Sequence, residues 1–176
     1  FFLFSKINFV YETPTKVYFG KEEELNVGKI IAGYAPKKVL VHFGGQSARK
    51  SGLLDRVEKA LEAEGIAYVE LGGVTANPEL KLVREGIALC QQEGVDFVLA
   101  VGGGSVLDSS KDIANGVANP DVDVWDFSLG KCVPQKTLRK GAILTLAAAG
   151  SEMSNSCVIT NTETNEKRGY GCSCNR

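Results

Sequence analysis

The sequence predicts an α/β fold, an open Rossmann-like parallel sheet with helices on both faces. The apolar runs VLV at 39–41 and FVLAV at 97–101 are continuous rather than alternating, which is typical of strands that are buried on both faces. Strand-like and helix-like segments alternate with short connections, a pattern that favours parallel pairing through right-handed crossovers. Three predicted strands end in small residues (GGQS, GGGS and AGS), and ligands of such sheets bind beyond the carboxyl ends of the strands.

The first elements follow one another in a regular order. KINFVYETPTKVYFG predicts an extended pair around Pro14, and ELNVGKIIAGY predicts a short amphipathic helix. KKVLVHFGG and IAYVELGG predict strands on either side of a helix in LLDRVEKALEAEG, whose apolar residues recur at helical spacing and which Gly65 ends. NPELKLVREGIALCQQEG predicts the next helix, with Asn77 as its N-cap, Pro78 at its first position and Gly94 as its stop.

The second half of the chain continues this alternation and then changes character. DFVLAVGGG predicts a strand, SVLDSSKDIANGVAN predicts the helix after it, and GAILTLAAAGSE predicts a further apolar strand. The tail NSCVITNTETNEKRGYGCSCNR has the features of a β-hairpin with its turn over 161–166. We recognise no hydrophobic pattern after Arg168.

Composition limits the classes of function. A chain of 176 residues, 44% of them hydrophobic, can bury a sizeable core, and a net charge of −1 argues against electrostatic binding to nucleic acid. No stretch predicts a membrane span. Five scattered cysteines do not predict a disulfide framework; they favour a reducing compartment and a cytoplasmic location. We expect an N-terminal extension over 1–7 and one α/β domain over 8–176.

The glycines after the third predicted strand are the main functional signal. Gly102, Gly103 and Gly104 let backbone amides approach an anion closely, and Ser105 is predicted as the N-cap of a helix whose positive end faces the same place. Together they predict a pyrophosphate cradle; the alternative is a tight turn in which the glycines serve packing alone. The G-x-G-x-x-G fingerprint fails because Leu107 stands at its third glycine, and no Gly-Lys-Ser/Thr follows as in a Walker P-loop.

Several side chains allow more than one interpretation from spacing alone. Asp108 either completes a Ser-x-x-Asp capping box or stands one helical turn from the phosphates, near the reactive end of a cofactor. Lys111, three residues further on, allows an exposed ion pair with Asp108. His42, inside a buried strand, is more typical of a satisfied core residue than of a catalyst, and Trp125 and Phe127 favour packing over lining a pocket.

Together these segments resemble the N-terminal domain of the iron-containing (group III) alcohol dehydrogenase family, and within it the butanol dehydrogenase branch. The resemblance rests on NFVYETPTKVYFG, VLVHFGGQSARKSGLLDRV, GGVTANPEL, FVLAVGGGSVLDSSKDIA, VWDF and AILTLAAAGSEMSNSCVITNTETNEKRGYG, which follow one another from Asn8 to Gly171. The run Gly-Gly-Gly-Ser-x-x-Asp-x-x-Lys is specific to a superfamily that also contains glycerol dehydrogenases and dehydroquinate synthases.

The resemblance implies an NAD(P)-dependent, metal-dependent oxidoreductase that interconverts small primary alcohols and aldehydes. It makes the domain over 8–176 a dinucleotide-binding domain and implies a place for each cofactor-binding residue. It implies that Gly44, Gly45 and Ser47 bind the adenosine end and that residues 102–105 bind the pyrophosphate. Asp108 is implied to lie by the nicotinamide ribose and Asn77 near the cofactor. The groove is completed by Thr145, Leu146 and Lys167.

Two departures from the family pattern change what we expect of this chain. Ala149 stands where the family commonly has a threonine, so one hydrogen bond to the cofactor, worth about 0.5–1.5 kcal/mol, is expected to be lost. The family binds iron or zinc through one Asp and three His of a C-terminal all-helical domain, and His42 is the single histidine here. We therefore expect the cofactor-binding half of a dehydrogenase, without that metal domain and with no catalytic or metal-binding residue of its own. The ending GCSCNR leaves the family pattern abruptly.

Three functional hypotheses stay open at this point: an alcohol dehydrogenase, a catalytically inactive nucleotide-binding fragment, and a glycerol dehydrogenase-like enzyme. The expected partner is a small alcohol or aldehyde, with neither nucleic acid nor a membrane, and a homodimer is left open. Arg49 and Lys50 follow a strand end that offers no acid to a ribose 2′-hydroxyl. They predict that NADP(H) is accepted and, in the stronger form of the hypothesis, preferred.

Overall fold

The computed structural model describes residues 13–176, and its central feature is a four-stranded parallel sheet. The strands are β1 (Val39–Phe43), β2 (Tyr68–Leu71), β3 (Phe97–Gly102), β4 (Arg139–Leu144), β5 (Ser156–Asn161) and β6 (Glu166–Gly171). The helices are α1 (Val27–Ala32), α2 (Ser47–Lys50), α3 (Leu53–Ala63), α4 (Leu80–Glu93), α5 (Gly104–Ala118) and α6 (Val124–Ser128). The sheet has the order β2-β1-β3-β4, and β5 and β6 form a separate antiparallel pair. The predicted α/β class is therefore confirmed.

β1 and β3 form the buried centre of the sheet. All six residues of β3 are buried, and so are the first four of β1. β1 pairs with β2 on one side and with β3 on the other, which places Val41 opposite both Glu70 and Leu99. The continuous apolar runs in the sequence thus mark the strands that helices cover on both faces.

Helices lie on both faces of the sheet, as predicted. α1 and α3 pack on one face in a cluster that contains Val41 and Leu54, whereas α4, α5 and α6 pack on the other face in a cluster that contains Leu40 and Ile113. Adjacent residues of one strand serve different clusters because successive side chains point to opposite faces. This alternation explains why β1 carries no polar face in the sequence.

The connections make the crevice between β1 and β3 a topological switch point. The chain passes from β1 to β2 through α3 on one face, and from β3 to β4 through α5 on the other face. It therefore leaves β1 and β3 in opposite directions along the sheet, and a crevice forms where the two connections diverge. Ligands of open α/β sheets bind in such a crevice.

The N-terminal prediction is tested only in part, because residues 1–12 lie outside the described range. The predicted extension over 1–7 falls there, as does the first arm of the predicted extended pair. From 13 to 20 the chain is irregular rather than a strand, since none of the strands within the described range pairs with it. The predicted helix after it begins as a 3-10 turn at Glu23–Asn26 and continues as α1.

Glycines end two helices where the sequence predicts a stop, but one predicted helix start is wrong. Gly65 and Gly94 follow α3 and α4 with φ of 66° and 67°, the left-handed region that glycine adopts at little cost. α4, however, begins at Leu80, with Glu79 in the N-cap position. Asn77 cannot be that cap because its own φ is 63°, whereas an N-cap residue has extended backbone.

The predicted hairpin is present as β5 and β6, with Asn161 paired to Glu166 at its turn. Contrary to expectation, ordered packing continues beyond Arg168. The Tyr170 ring packs against Phe127 at 5.7 Å between centroids, and Cys172 is buried. Glycines alternate with Tyr170 here, so the inward-facing residues make no visible apolar pattern in the sequence. Phe127 and its neighbour Trp125 are themselves buried, which confirms packing as their role.

His42 is a satisfied core residue, as predicted. Its ring is fully buried between the carbonyl of Leu71, 2.8 Å from Nδ1, and the hydroxyl of Ser109, 2.8 Å from Nε2. Burial lowers the pKa of His42 from about 6.5 to about 4. The folded protein therefore holds this ring neutral in a pH range where the unfolded chain protonates it.

We expect His42 to make the fold sensitive to mild acid. Between about pH 6.5 and pH 4 only the unfolded state binds the proton of His42, so the contribution of His42 to the free energy of unfolding falls by about 1.4 kcal/mol for each unit that the pH is lowered, about 3 kcal/mol in all. The buried Asp112, whose pKa is raised to about 7, contributes with the opposite sign, so the comparison with a His42 variant isolates the effect. Urea unfolding across this range, on the wild type and on His42→Gln, measures the effect. The variant is expected to lose stability less steeply; equal slopes would contradict the assignment.

Candidate nucleotide-binding site

Two glycine-rich turns meet at the switch point between β1 and β3. Gly44 and Gly45 follow β1, and Gly103 follows β3 and leads directly into α5. The connection after β2 folds over the same place, because the amide of Gly73 donates a hydrogen bond of 2.8 Å to the carbonyl of Gly44. The structure therefore gathers the two glycine clusters that the sequence analysis assigned to one cofactor.

The start of α5 differs from the prediction in one respect. Gly103, in extended conformation, occupies the N-cap position, and no side chain caps the helix. Ser105 is the second residue of the helix rather than its cap, because the helix already begins at Gly104. Among residues 13–176 no side chain caps the amides of the first turn, and these amides carry the positive end of a 15-residue helix dipole.

Packing explains one of these glycines and leaves three unexplained. A Cβ on Gly102 would lie 2.5 Å from a methyl of Val106, so no larger residue fits there. A Cβ on Gly103 or Gly104 would meet its nearest atom only at 3.7 or 3.9 Å, and one on Gly45 would meet nothing within 4 Å. These three glycines also have no positive φ. Neither sterics nor backbone conformation of the protein requires glycine at these positions.

The segment after β4 forms a wall of this cradle. The amide of Thr145 donates a hydrogen bond of 3.0 Å to the carbonyl of Gly102, which continues the pairing of β4 with β3. The side chain of Leu146 stands next to Gly103 and is 66% exposed. An exposed leucine beside an open glycine turn offers an apolar surface to a ligand. Ala149, the departure from the family pattern, lies in the same exposed segment.

Asp108 joins α5 to the segments that follow β4. One carboxylate oxygen accepts a hydrogen bond of 2.5 Å from the Ser151 hydroxyl, and the other accepts one of 3.1 Å from the amide of Val158. The capping-box interpretation is therefore wrong, since the carboxylate faces away from the amides of its own helix. Burial raises the pKa of Asp108, although these two hydrogen bonds and the charge of Lys111 oppose the rise.

Lys111 is a buried anchor for the loop after β4, which the sequence analysis did not foresee. The sequence allowed an exposed ion pair, but the residue is buried, with only 4% of its surface accessible. Its Nζ donates hydrogen bonds to the carbonyls of Ser151, Ser154 and Ser156 at 2.8, 3.0 and 2.8 Å. Burial lowers the pKa of Lys111, and Asp108 opposes the change. Ser151, the last residue of the AGS strand end noted in the sequence, contacts both side chains, and these contacts were missed because they join positions 40 or more apart.

Asn77 and Lys167 meet across the mouth of the crevice. The Nζ of Lys167, on β6, donates a hydrogen bond of 2.6 Å to the side-chain oxygen of Asn77. The charge of Lys167 also opposes the rise in the pKa of Asp108, which means that the three predicted cofactor residues are neighbours. Asn77 has a φ of 63°, and non-glycine residues held in this region cluster at functional sites.

The predicted adenosine end is exposed and is bordered by a charged cluster. Gly45 and Ser47 are exposed, and Ser47 begins the short helix α2. Two residues further on, Arg49 lies 2.5 Å from a carboxylate oxygen of Glu70 and 3.4 Å from one of Glu58. The guanidinium that was predicted to face a 2′-phosphate is thus already in contact with carboxylates.

Within residues 13–176 no group of three His, Cys, Asp or Glu side chains could hold a metal ion. The described residues therefore do not fit the iron or zinc that the resemblance implies. In the same range no helix is long and apolar enough to cross a membrane.

The fold and the crevice define a class: α/β domains that carry a glycine turn at the switch point of a parallel sheet. Residues 14–175 match the sequence model of the iron-containing alcohol dehydrogenases. The chain belongs to this family, and the resemblance seen in the sequence is confirmed.

The curated relatives are dehydrogenases and reductases, and the chain spans about 42% of their length. It is 46% identical over 164 residues, 93% of this chain, to the probable NADH-dependent butanol dehydrogenase 1 of Bacillus subtilis. It is 45% identical over 165 residues, 94% of this chain, to NADH-dependent butanol dehydrogenase A of Clostridium acetobutylicum. The NADPH-dependent aldehyde reductase YqhD of Escherichia coli is 36% identical over 165 residues. These similarities confirm the predicted butanol dehydrogenase-like branch.

Solved structures share the fold. NADH-dependent butanol dehydrogenase A from Thermotoga maritima superposes with a TM-score of 0.91 at 41% identity, covering 96% of this chain and 42% of that one. The substrate- and cofactor-free aldehyde reductase YqhD from Escherichia coli gives 0.82 at 33% identity, covering 97% of this chain and 43% of that one.

Proposed function

We propose that this chain binds the dinucleotide cofactor NAD(P)(H) of an alcohol dehydrogenase in the crevice between β1 and β3. The observation that carries the proposal is the set of glycines at 45, 103 and 104, at which neither packing nor backbone conformation calls for glycine. A pyrophosphate approaching the first amides of α5 supplies the missing reason, since any Cβ there would occupy its place.

In this proposal different residues bind different parts of the cofactor. The 102–105 turn holds the pyrophosphate, and Gly44, Gly45 and Ser47 hold the adenosine end. Asp108 stands by the nicotinamide ribose, and the groove is completed by Asn77, Thr145, Leu146 and Lys167. When bound, the nicotinamide supplies a hydride donor or acceptor. The chain's own part is to bind and orient it, and the hydrogen bonds of Asp108 and Lys111 keep the wall of the groove in place.

For the whole enzyme we propose the interconversion of small primary alcohols and aldehydes, as the names of the relatives suggest. We assign no metal-dependent step to this chain, because residues 13–176 do not provide a metal site. The chain by itself is therefore expected to bind the cofactor without turning over an alcohol. A homodimeric state and a cytoplasmic location stay predictions.

A titration tests the proposal directly. Reduced nicotinamide cofactor added to this chain is expected to show saturable binding, seen as a change in its own fluorescence or in that of Trp125. Butanol, oxidised cofactor and added iron or zinc are expected to give no steady turnover. If neither NADH nor NADPH shows saturable binding, the proposed cofactor site is overturned. Steady turnover by this chain alone would overturn the expectation that it binds the cofactor without oxidising an alcohol.

A further inference from the structure

Arg49 is held in place by acidic side chains from two different elements. Its guanidinium lies 2.5 Å from Glu70 on β2, and 3.4 and 3.9 Å from Glu58 and Asp55 on α3. It also lies over the ring of Phe43, with 5.5 Å from its central carbon to the ring centroid. Phe43 is the last residue of β1 and directly precedes the glycine turn. The Arg49 cluster, which we define as Arg49 with Asp55, Glu58 and Glu70, therefore borders the proposed adenosine end.

The acidic partners outnumber the arginine. Burial raises the pKa of Glu58, and the neighbouring Glu70 raises it further, while the charge of Arg49 opposes the rise. A second cation, Lys50, follows Arg49, but it is exposed and takes part in no ion pair within the described range. A phosphate that approaches Arg49 would meet a guanidinium already in contact with three carboxylates, which carry charge of its own sign.

We infer that the Arg49 cluster makes the adenosine end select NADH against NADPH, with Glu70 as the determining residue. The inference rests on the proposed function. A 2′-phosphate carries between one and two negative charges at neutral pH, about as a phosphorylated side chain does, and like charges at close range are strongly disfavoured. A free ribose 2′-hydroxyl is neutral and suffers no such repulsion. This inference reverses the NADP(H) preference that Arg49 and Lys50 predicted from the sequence.

Four forms of the chain, titrated with NADH and with NADPH in low salt, test the inference. In the wild type NADH is expected to bind at least tenfold more tightly than NADPH. Glu70→Gln removes the nearest carboxylate charge and frees the guanidinium, so NADPH is expected to bind at least tenfold more tightly than before while NADH changes less than threefold. Arg49→Gln combined with Glu70→Gln should remove that gain. Glu64→Gln, an exposed acid on the same side of the sheet that does not contact Arg49, is the matched control and should leave the ratio unchanged.

The outcomes separate this inference from the proposed function. If NADH binds but Glu70→Gln leaves the ratio of the two affinities as it was, the inference is overturned and the cofactor site stands. If neither cofactor binds to any form, both are overturned. Glu58→Gln provides a second variant that removes a carboxylate from the guanidinium, and it is expected to shift the ratio in the same direction as Glu70→Gln.

Discussion

Replacing Lys111 by Met is expected to lower the free energy of unfolding by about 3–5 kcal/mol. Three carbonyls between Ser151 and the start of β5 accept hydrogen bonds from this single ammonium, and an apolar side chain of similar length leaves one buried and two half-buried carbonyls without that donor. The carboxylate of Asp108 would also lose its nearby cation. Urea unfolding of wild type and variant gives the difference.

The loss should be local before it is global. In Lys111→Met, amide hydrogen exchange is expected to accelerate first at the loop and at Val158. The amide of Val158 donates a hydrogen bond to the carboxylate of Asp108. Lys59→Met replaces an exposed lysine on α3 and is the matched control, with an expected effect within about 0.5 kcal/mol. A loss below about 1 kcal/mol for Lys111→Met would show that the buried hydrogen bonds are not what holds the loop.

Replacing Gly104 by Val is expected to weaken cofactor binding at least 100-fold while barely changing stability. The structure has room for the first added carbon, 3.9 Å from its nearest neighbour, and valine suits a helix slightly better than glycine does. The added methyl groups stand where the proposed pyrophosphate approaches the amides of α5. Titration with NADH measures the affinity, and urea unfolding measures the stability.

Gly102→Ala is the contrasting variant two residues away. Its Cβ would overlap Val106 at 2.5 Å, so we expect a loss of about 1–3 kcal/mol in the free energy of unfolding. Only the variant at Gly104 should lose affinity without losing stability. If Gly104→Val binds NADH as the wild type does, the glycines there have another purpose and the proposed pyrophosphate site is wrong.

Much of the fold could be predicted from the sequence because its signals are local. The runs at 39–41 and 97–101 are apolar without alternation, and they became the two central strands. Gly65 and Gly94 end helices where predicted, since a left-handed residue after a helix depends on few neighbours. The start of α4 was misjudged because Asn-Pro resembles a helix start. A hydrogen bond from the amide of Thr160, on a strand 82 positions away, to the carbonyl of Pro78 instead fixes that segment.

The sequence by itself determined the parallel α/β class, the helices on both faces and the glycine turns at the strand ends, because periodicity and glycine spacing depend on residues close together in the chain. The strand order that makes the ends of β1 and β3 a switch point came from the tertiary structure. Only the tertiary structure decided what the charged side chains do. Asp108 and Lys111 look like a helix cap and a surface ion pair, yet they reach the loop and hairpin 40 to 50 positions away. In the sequence Arg49 looks available to bind a phosphate, yet in the structure Glu70 on β2 contacts it. A charged group bonds to whatever folding brings within about 3 Å, and spacing along the chain does not contain that information.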